Sequence, residues 1–214
     1  MLKIGISLRI VNAENYDEKR DALSHEWASF LEKLGIVPIL IPNSLKDVKD
    51  FLQQFHLNGI ILSGGDDIGR NPERDSTEKT IIEYSIKNNI PILGICRGMQ
   101  MLNSYFGGTM SKNLDANHIN KSHSLKINAH PFLKFLPKSI DVNSFHNNII
   151  NQENLAKELL MFAIDIRDKS IEGMYHETLP IIGVMWHPER SQNQINISLL
   201  TNFFINHKFS SKLN

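Results

Sequence analysis

PILGICRGMQ, residues 91–100, sets the only cysteine of a 214-residue chain between two glycines, directly after an apolar run and directly before a helical pattern. In an α/β sheet, ligands sit beyond the carboxyl ends of the strands, and Cys96 lies where a strand gives way to a helix. Gly94 and Gly98 are expected to permit a sharp turn that lifts the side chain above the sheet. The nucleophile elbow of hydrolases works this way, here with sulfur in place of oxygen. Amide groups of the first helical turn, and the helix dipole, favour the thiolate, which is the reactive form. A buried structural cysteine is the plain alternative for a lone thiol in an apolar strand; the flanking glycines and the change of period favour the nucleophile.

Outward from this turn, short β-rich runs alternate with longer amphipathic ones. LKIGISLR (2–9) has strand character, and from Asp17 to Leu34 apolar residues recur at helical spacing through Leu23, Trp27, Phe30, Leu31 and Leu34, until Gly35 stops the pattern. IVPILIP is the next strand, 45–55 a second helix, GIILSGG (59–65) a third strand, 75–89 a third helix and PILGI a fourth strand. After about residue 108 the period shifts towards strands, in HSLKI, IDVNSF, LLMFAIDI, SIEGMYH and PIIGVMWH, closed by a helix over 191–207. NLDANHINKS (113–122) is the most loop-like stretch, and no linker, repeat or low-complexity segment divides the chain. The expectation is one α/β domain over residues 1–214, with a mostly parallel central sheet and helices on both faces.

Composition narrows the function. The apolar fraction of 41% suits an ordinary globular protein, and Lys plus Arg equals Asp plus Glu at 23 each, so no charge excess points to nucleic acid or a membrane surface. A single cysteine cannot close an internal disulfide, the amino-terminal MLKIGISLRI lacks the zones of a secretory signal, and no apolar run approaches the roughly 20 residues of a membrane span. These features predict a cytoplasmic protein.

A thiolate attacking a carbonyl needs a base, a group that orients the base, and an oxyanion pocket. GVMWHPE (183–189) offers the first two. His187 and Glu189 are one residue apart, and Pro188 forbids helix, so both side chains point the same way and the carboxylate can fix the imidazole tautomer. A surface His beside a surface Glu is the commonplace alternative; the position at the end of another strand favours catalysis. LSGGDDI (62–68) suggests the oxyanion pocket, because paired glycines at a strand end let backbone N–H groups approach a ligand, with the Arg97 amide as second donor. It lacks the Gly-x4-Gly-Lys-Ser/Thr pattern of a phosphate loop.

Together, GICRGMQ at 94–100, SGGDD at 63–67 and WHPE at 186–189 resemble the class I glutamine amidotransferase fold, and within it the γ-glutamyl hydrolase-like branch, peptidase family C26. RDSTE (74–78), GGT (107–109), VNSFH (142–146) and KSIEGM (169–174) extend the resemblance along essentially the whole chain. It implies Cys96 as nucleophile, His187 as base and then acid, Glu189 as its brace, and Gly65 and Arg97 as oxyanion amides. Gly64 and Gln100 would help hold the glutamyl end of the substrate, with Asn143, Ser144 and His146 in the stretch where the family makes further contacts to it. His146 reads equally as a structural histidine.

The implied reaction is hydrolysis of a γ-glutamyl amide through a γ-glutamyl thioester, with no cofactor and no metal. The histidines do not form a ligand set in sequence: His118 and His123 sit in a predicted loop, while His25 and His207 fall in helical patterns. GRNPERD is shorter than the corresponding family segment, which implies a different leaving-group pocket. The compact length and overall sequence are most similar to branch members acting on γ-glutamyl-CDP-amidate in capsule modification. Arg70, Arg74 and the lysines of 112–126 are candidates to meet a diphosphate, though solvation explains each as well. The alternatives are a glutaminase subunit that passes ammonia to a synthase partner, a hydrolase of another amide such as γ-glutamylputrescine, and a non-catalytic γ-glutamyl ligand-binding protein. The only partner the first reading requires is a small-molecule substrate; a homo-oligomer stays open.

Overall fold

GIIL, ILGI and IIGV are apolar at every position rather than alternating, the mark of strands covered on both faces. In a computed structural model of the chain, which describes residues 1–112, 119–128 and 133–206, these runs form the middle of a nine-stranded sheet. Strand β1 (Leu2–Ser7) leads into a hairpin of β2 (Arg9–Asn12) and β3 (Lys19–Ala22). Then come α1 (His25–Lys33), β4 (Ile36–Ile41), α2 (Val48–Phe55), β5 (Gly59–Leu62), α3 (Pro72–Lys87), β6 (Ile92–Ile95) and α4 (Arg97–Tyr105). The rest is mostly strand: β7 (Ser111–Lys112), β8 (Ile119–Ile127), β9 (Ser139–Phe145), β10 (Asn148–Ile149), β11 (Leu159–Asp165), β12 (Ile171–His176) and β13 (Ile181–Val184). Helix α5 (Gln194–Leu200) follows, continuing into a π-helical turn, Thr201–Ile205.

The sheet order is β4-β1-β5-β6-β13-β12-β11-β8-β9. From β4 to β13 every neighbouring pair is parallel, and from β13 to β9 every pair is antiparallel. The chain steps outward from β1 to β4, then reverses to β5 and β6. Right-handed crossovers therefore put α1 on one face and α2, α3 and α4 on the other. Consistent with this, α2 packs on α3 and α3 on α4, whereas α1 and α5 both meet the 3-10 turn Pro188–Arg190. The α/β architecture with both faces covered is as the sequence predicts.

Three local expectations are corrected. Residues 17–22 do not join the first helix: Lys19–Ala22 pairs antiparallel with Arg9–Asn12, and the helix begins at His25. Its buried residues, Trp27, Phe30 and Leu31, all lie beyond residue 24, whereas 17–21 are exposed and offer no face to bury. Next, Ile119–Ser122 of the expected loop belongs to β8, while 113–118 lie outside the described residues. Finally, the terminal helix starts at Gln194, where the Asn193 side chain caps the Asn196 amide at 3.0 Å; residue 207 lies outside the described residues. Among the described residues no helix is long and apolar enough to cross a membrane.

Candidate active site

Cys96 ends β6 and caps α4, buried at 6% exposure, with φ +50° and ψ −106°. That conformation is costly for a side-chain-bearing residue and is held by its surroundings, including a 2.8 Å hydrogen bond from the Cys96 amide to the Val184 carbonyl. The bend is therefore made by the cysteine itself. Neither neighbouring glycine has a positive φ; both serve close packing instead. A Cβ on Gly98 would lie 2.0 Å from the Leu62 carbonyl oxygen, and one on Gly94 would lie 2.7 Å from the Gly98 carbonyl, so the two glycines let α4 sit tightly on β5 and β6.

His187 follows β13, whose parallel pairing with β6 matches Val184 to Ile95 and so brings the two strand ends side by side. Its Nδ1 lies 2.8 Å from Glu189 Oε1, both side chains buried. The backbone is clamped from β9: His187 N–H donates to Asn143 Oδ1 at 2.8 Å, and Asn143 Nδ2 donates to the His187 carbonyl at 2.9 Å. Asn143, expected to touch substrate, is thus engaged in holding the histidine. Nε2 has no formal hydrogen bond among the described residues and is left to Cys96, to which it is electrostatically coupled.

Burial alone would lower the His187 pKa, but the Cys96 sulfur and the Glu189 carboxylate outweigh it and push it up to about 9. Burial likewise opposes ionisation of Cys96, yet His187, with help from His146 and the Arg97 amide, draws its pKa below the usual thiol range. The favoured state is a thiolate beside an imidazolium. Gly64 fills the gap between them: a Cβ there would stand 2.9 Å from His187 Cε1 and 3.7 Å from Cys96 Cβ. Its observed role is to leave room for the imidazole.

Residues 63–65 are held from below by a buried ionic network. Arg74 donates from Nη2 to the carbonyls of Ser63 (2.7 Å) and Gly64 (3.1 Å), and from Nε to Glu78 Oε1 (2.9 Å). The other Glu78 oxygen accepts from Arg97, whose second amino group is bound by Asp75. Ser7 Oγ bridges, donating to Glu78 at 2.8 Å and accepting the Ser63 amide at 3.0 Å. With its side chain committed here, Arg97 has its first-turn amide beside the sulfur. Gly65 has φ +149°, and a Cβ there would strike Arg74 Nη1 at 2.3 Å, so this backbone position suits glycine alone. Arg74 is fully buried and is not available to a diphosphate; Arg70 is exposed and paired with Asp66 at 3.5 Å.

Gln100, on the first turn of α4, is buried near Met185 Sδ (3.7 Å) and the Asn148 carbonyl (3.4 Å). Ser144 is buried on β9. His146 takes part in a cluster that the sequence pattern did not disclose. Its Nδ1 lies 3.0 Å from the Asn148 carbonyl and its Nε2 lies 3.5 Å from Glu172. From the other side His123, on β8 rather than in a loop, sets Nδ1 2.5 Å from Asp165 and Nε2 3.4 Å from Glu172. Ligand atoms of His123, His146 and Glu172 all fall within 4.8 Å of one another, a set that could hold a divalent metal. As it stands, the histidines serve as charge partners: burial would raise the Glu172 pKa, but hydrogen bonds from His123 and His146 prevail and hold it at about 2.

The Peptidase C26 family model matches residues 4–189, a span that takes in the cysteine elbow, the glycine pair and the His-Pro-Glu turn. The chain belongs to the peptidase C26 family. Membership makes it a hydrolase of C–N bonds. This C26 chain is 35% identical over 208 residues to the γ-glutamyl-CDP-amidate hydrolase of Campylobacter jejuni, covering 94% of this chain and 96% of that one. It is 30% identical to a glutamine-hydrolysing GMP synthase subunit of Pyrococcus furiosus, covering 81% and 87%. Among solved structures, a GMP synthase subunit-like protein of Thermoplasma acidophilum superposes with a TM-score of 0.73 at 26% identity, covering 95% of this chain and 92% of that one. A glutamine amidotransferase from Thermotoga maritima shares the fold with a TM-score of 0.70 at 14% identity, covering 98% and 99%.

For this C26 protein, sequence reasoning missed Glu78 as the hub of the arginine network and Glu172 as the hub of the histidine cluster. Both carried a signal: Glu172 is an acid inside the apolar run SIEGM, and Glu78 closes RDSTE, one of the stretches that carry the family resemblance.

Proposed function

We propose that this chain hydrolyses γ-glutamyl amides with Cys96 as nucleophile, and that its substrate is γ-glutamyl-CDP-amidate. The observation that carries the first part is the buried alignment of Cys96, His187 and Glu189 at the carboxyl ends of adjacent parallel strands. The Cys96 thiolate attacks the γ-carbonyl carbon, and the oxygen takes up negative charge near the Gly65 and Arg97 amides. His187 then gives its Nε2 proton to the departing nitrogen as the C–N bond breaks, leaving a γ-glutamyl thioester. A water that loses its proton to His187 attacks the thioester, glutamate leaves, and the sulfur departs as thiolate. Glu189 holds the imidazole through both halves of the cycle. Support for the nucleotide substrate is the likeness to the Campylobacter protein along nearly all of both chains. The product would then be cytidine diphosphoramidate, for capsule modification.

The likeness to GMP synthase subunits favours a second reading, a glutaminase that works with a synthase partner. One experiment separates the two. Purified protein is given γ-glutamyl-CDP-amidate, γ-glutamylputrescine or glutamine, released glutamate is measured, and the Cys96 adduct is trapped for mass spectrometry. Efficient release from the nucleotide alone, with a glutamyl mass on Cys96, is the expected result. Release from glutamine at least as efficient as from the nucleotide overturns the substrate, and turnover without a Cys96 adduct overturns the nucleophile.

A further inference from the structure

Beside His187, on the α1 side of the sheet edge, lies a cavity of about 290 Å³ whose wall includes Arg9, Ser24, Trp27, Gly64, His187 and Arg190. Neither Cys96 nor Gln100 lines it. His187 borders it, and so does Gly64, which lies between the imidazole and Cys96.

The arginines set this cavity apart. Arg20, Arg70, Arg74, Arg97 and Arg167 each sit within salt-bridge distance of a carboxylate. Among the described residues, Arg9 and Arg190 are the two arginines that do not, and both lie in this wall. Arg9 opens β2 directly beside the oxyanion loop, its Cβ only 3.3 Å from where a Cβ on Gly65 would be. Arg190 stacks its guanidinium 4.0 Å above the centre of the Phe145 ring, which in turn meets the His187 ring edge-on at 5.6 Å. Stacking fixes the plane of the guanidinium and leaves its N–H edges to point outward. The one carboxylate in the wall, Glu189, is already bound to His187.

We propose that this cavity is the leaving-group subsite and that Arg9 and Arg190 grip the phosphates of a diphosphate-bearing leaving group. The assignment rests on the γ-glutamyl hydrolase reading, and the chemistry of that reaction supplies the direction. The departing nitrogen receives its proton from His187, so whatever is attached to that nitrogen must extend into space that His187 borders. The glutamyl half occupies the side of the sulfur. Two guanidiniums without a carboxylate partner, in a partly closed cavity, favour a group with clustered negative charge and bind it through paired N–H···O bonds. They repel a cationic amine, which sets the subsite against a polyamine leaving group. The volume takes a diphosphate and leaves an attached nucleoside at the mouth.

The test is isothermal titration of the intact protein with inorganic pyrophosphate, repeated with Arg9→Gln, Arg9→Lys and Arg190→Gln, and with putrescine as the cationic control. Wild type should bind pyrophosphate and ignore putrescine. Each Gln variant should weaken pyrophosphate binding about tenfold or more, equivalent to about 1.4 kcal/mol, with Arg9→Lys intermediate. Absence of pyrophosphate binding, or equal affinity in all the proteins, overturns the proposal. The exposed position of Arg190 keeps the test valid should a change at the half-buried Arg9 disturb folding. Because titration needs no turnover, the two readings fail separately. A protein that releases glutamate but ignores pyrophosphate loses the subsite alone; one that binds pyrophosphate through these arginines but releases no glutamate loses the hydrolase reading.

Discussion

Gly64→Ala probes the spacing of the reactive pair with a single methyl group. The added carbon would stand 2.9 Å from His187 Cε1. Carbon atoms in contact settle at roughly 3.5–4.0 Å, so the ring or the loop must give by about 0.6–1 Å. The loop is held by Arg74 at the Ser63 and Gly64 carbonyls, and the histidine by Asn143 at its backbone and Glu189 at Nδ1. The strain therefore falls on the tilt of the imidazole relative to the sulfur. Misplacing a reacting group by about 1 Å costs on the order of a hundredfold in rate, and the overpacking itself costs about 1–3 kcal/mol of stability. Gly64 has no positive φ, so its backbone accepts alanine and the protein should remain folded. Two assays read the result: steady-state glutamate release, and the rate of iodoacetamide alkylation of Cys96 against pH. Wild type should alkylate at lower pH than an ordinary thiol, because His187 favours the thiolate; the variant should need higher pH. A variant within about threefold of wild-type turnover, with an unshifted alkylation profile, would refute the spacing argument.

Three further changes test other parts. Cys96→Ala should lower glutamate release by roughly four to six orders of magnitude while leaving the circular dichroism spectrum intact; activity above about a tenth of wild type removes the sulfur from the mechanism. Glu78→Gln leaves the buried guanidinium groups of Arg74 and Arg97 without their shared charge, and urea denaturation should show a loss of about 3–5 kcal/mol. A loss under about 1 kcal/mol means the network is not what holds the loop. Glu172 has its pKa lowered from 4.5 to about 2, so its stabilisation is complete above pH 4.5 and disappears as pH falls towards 2. Glu172→Gln should therefore cost about 3 kcal/mol near pH 6 and almost nothing near pH 2, and a cost independent of pH argues against the charge pairing with His123 and His146.

The parts of the molecule legible in the chain are those encoded locally. Cys96 follows an apolar strand and precedes a helix, His187 and Glu189 flank a proline, and each of these signals fits inside a few residues. Even there, the turn expected of Gly94 and Gly98 falls to Cys96, because the tight contact that requires Gly98 is with Leu62, far away in sequence. Residues 17–22 read as helix because period alone cannot show that they lack a surface to cover, and they form a hairpin strand instead. The remaining omissions share one cause. Glu78 with Arg97, Glu172 with His123 and His146, and Asn143 with the His187 backbone are meetings of separate elements, so the windows around these residues show the residue types but not their partners.

The pairing of β6 with β13 has a consequence for the order of events during synthesis. Residue 96 leaves the ribosome long before residue 187 is made, and contacts so distant in sequence form late. Until the last strand slots in beside the fourth parallel one, the sulfur is an ordinary thiol with no neighbour to strip its proton. Before that pairing forms, Cys96 reacts only as an unperturbed cysteine does, and the added reactivity that His187 confers appears once residue 187 has been made and packed beside it.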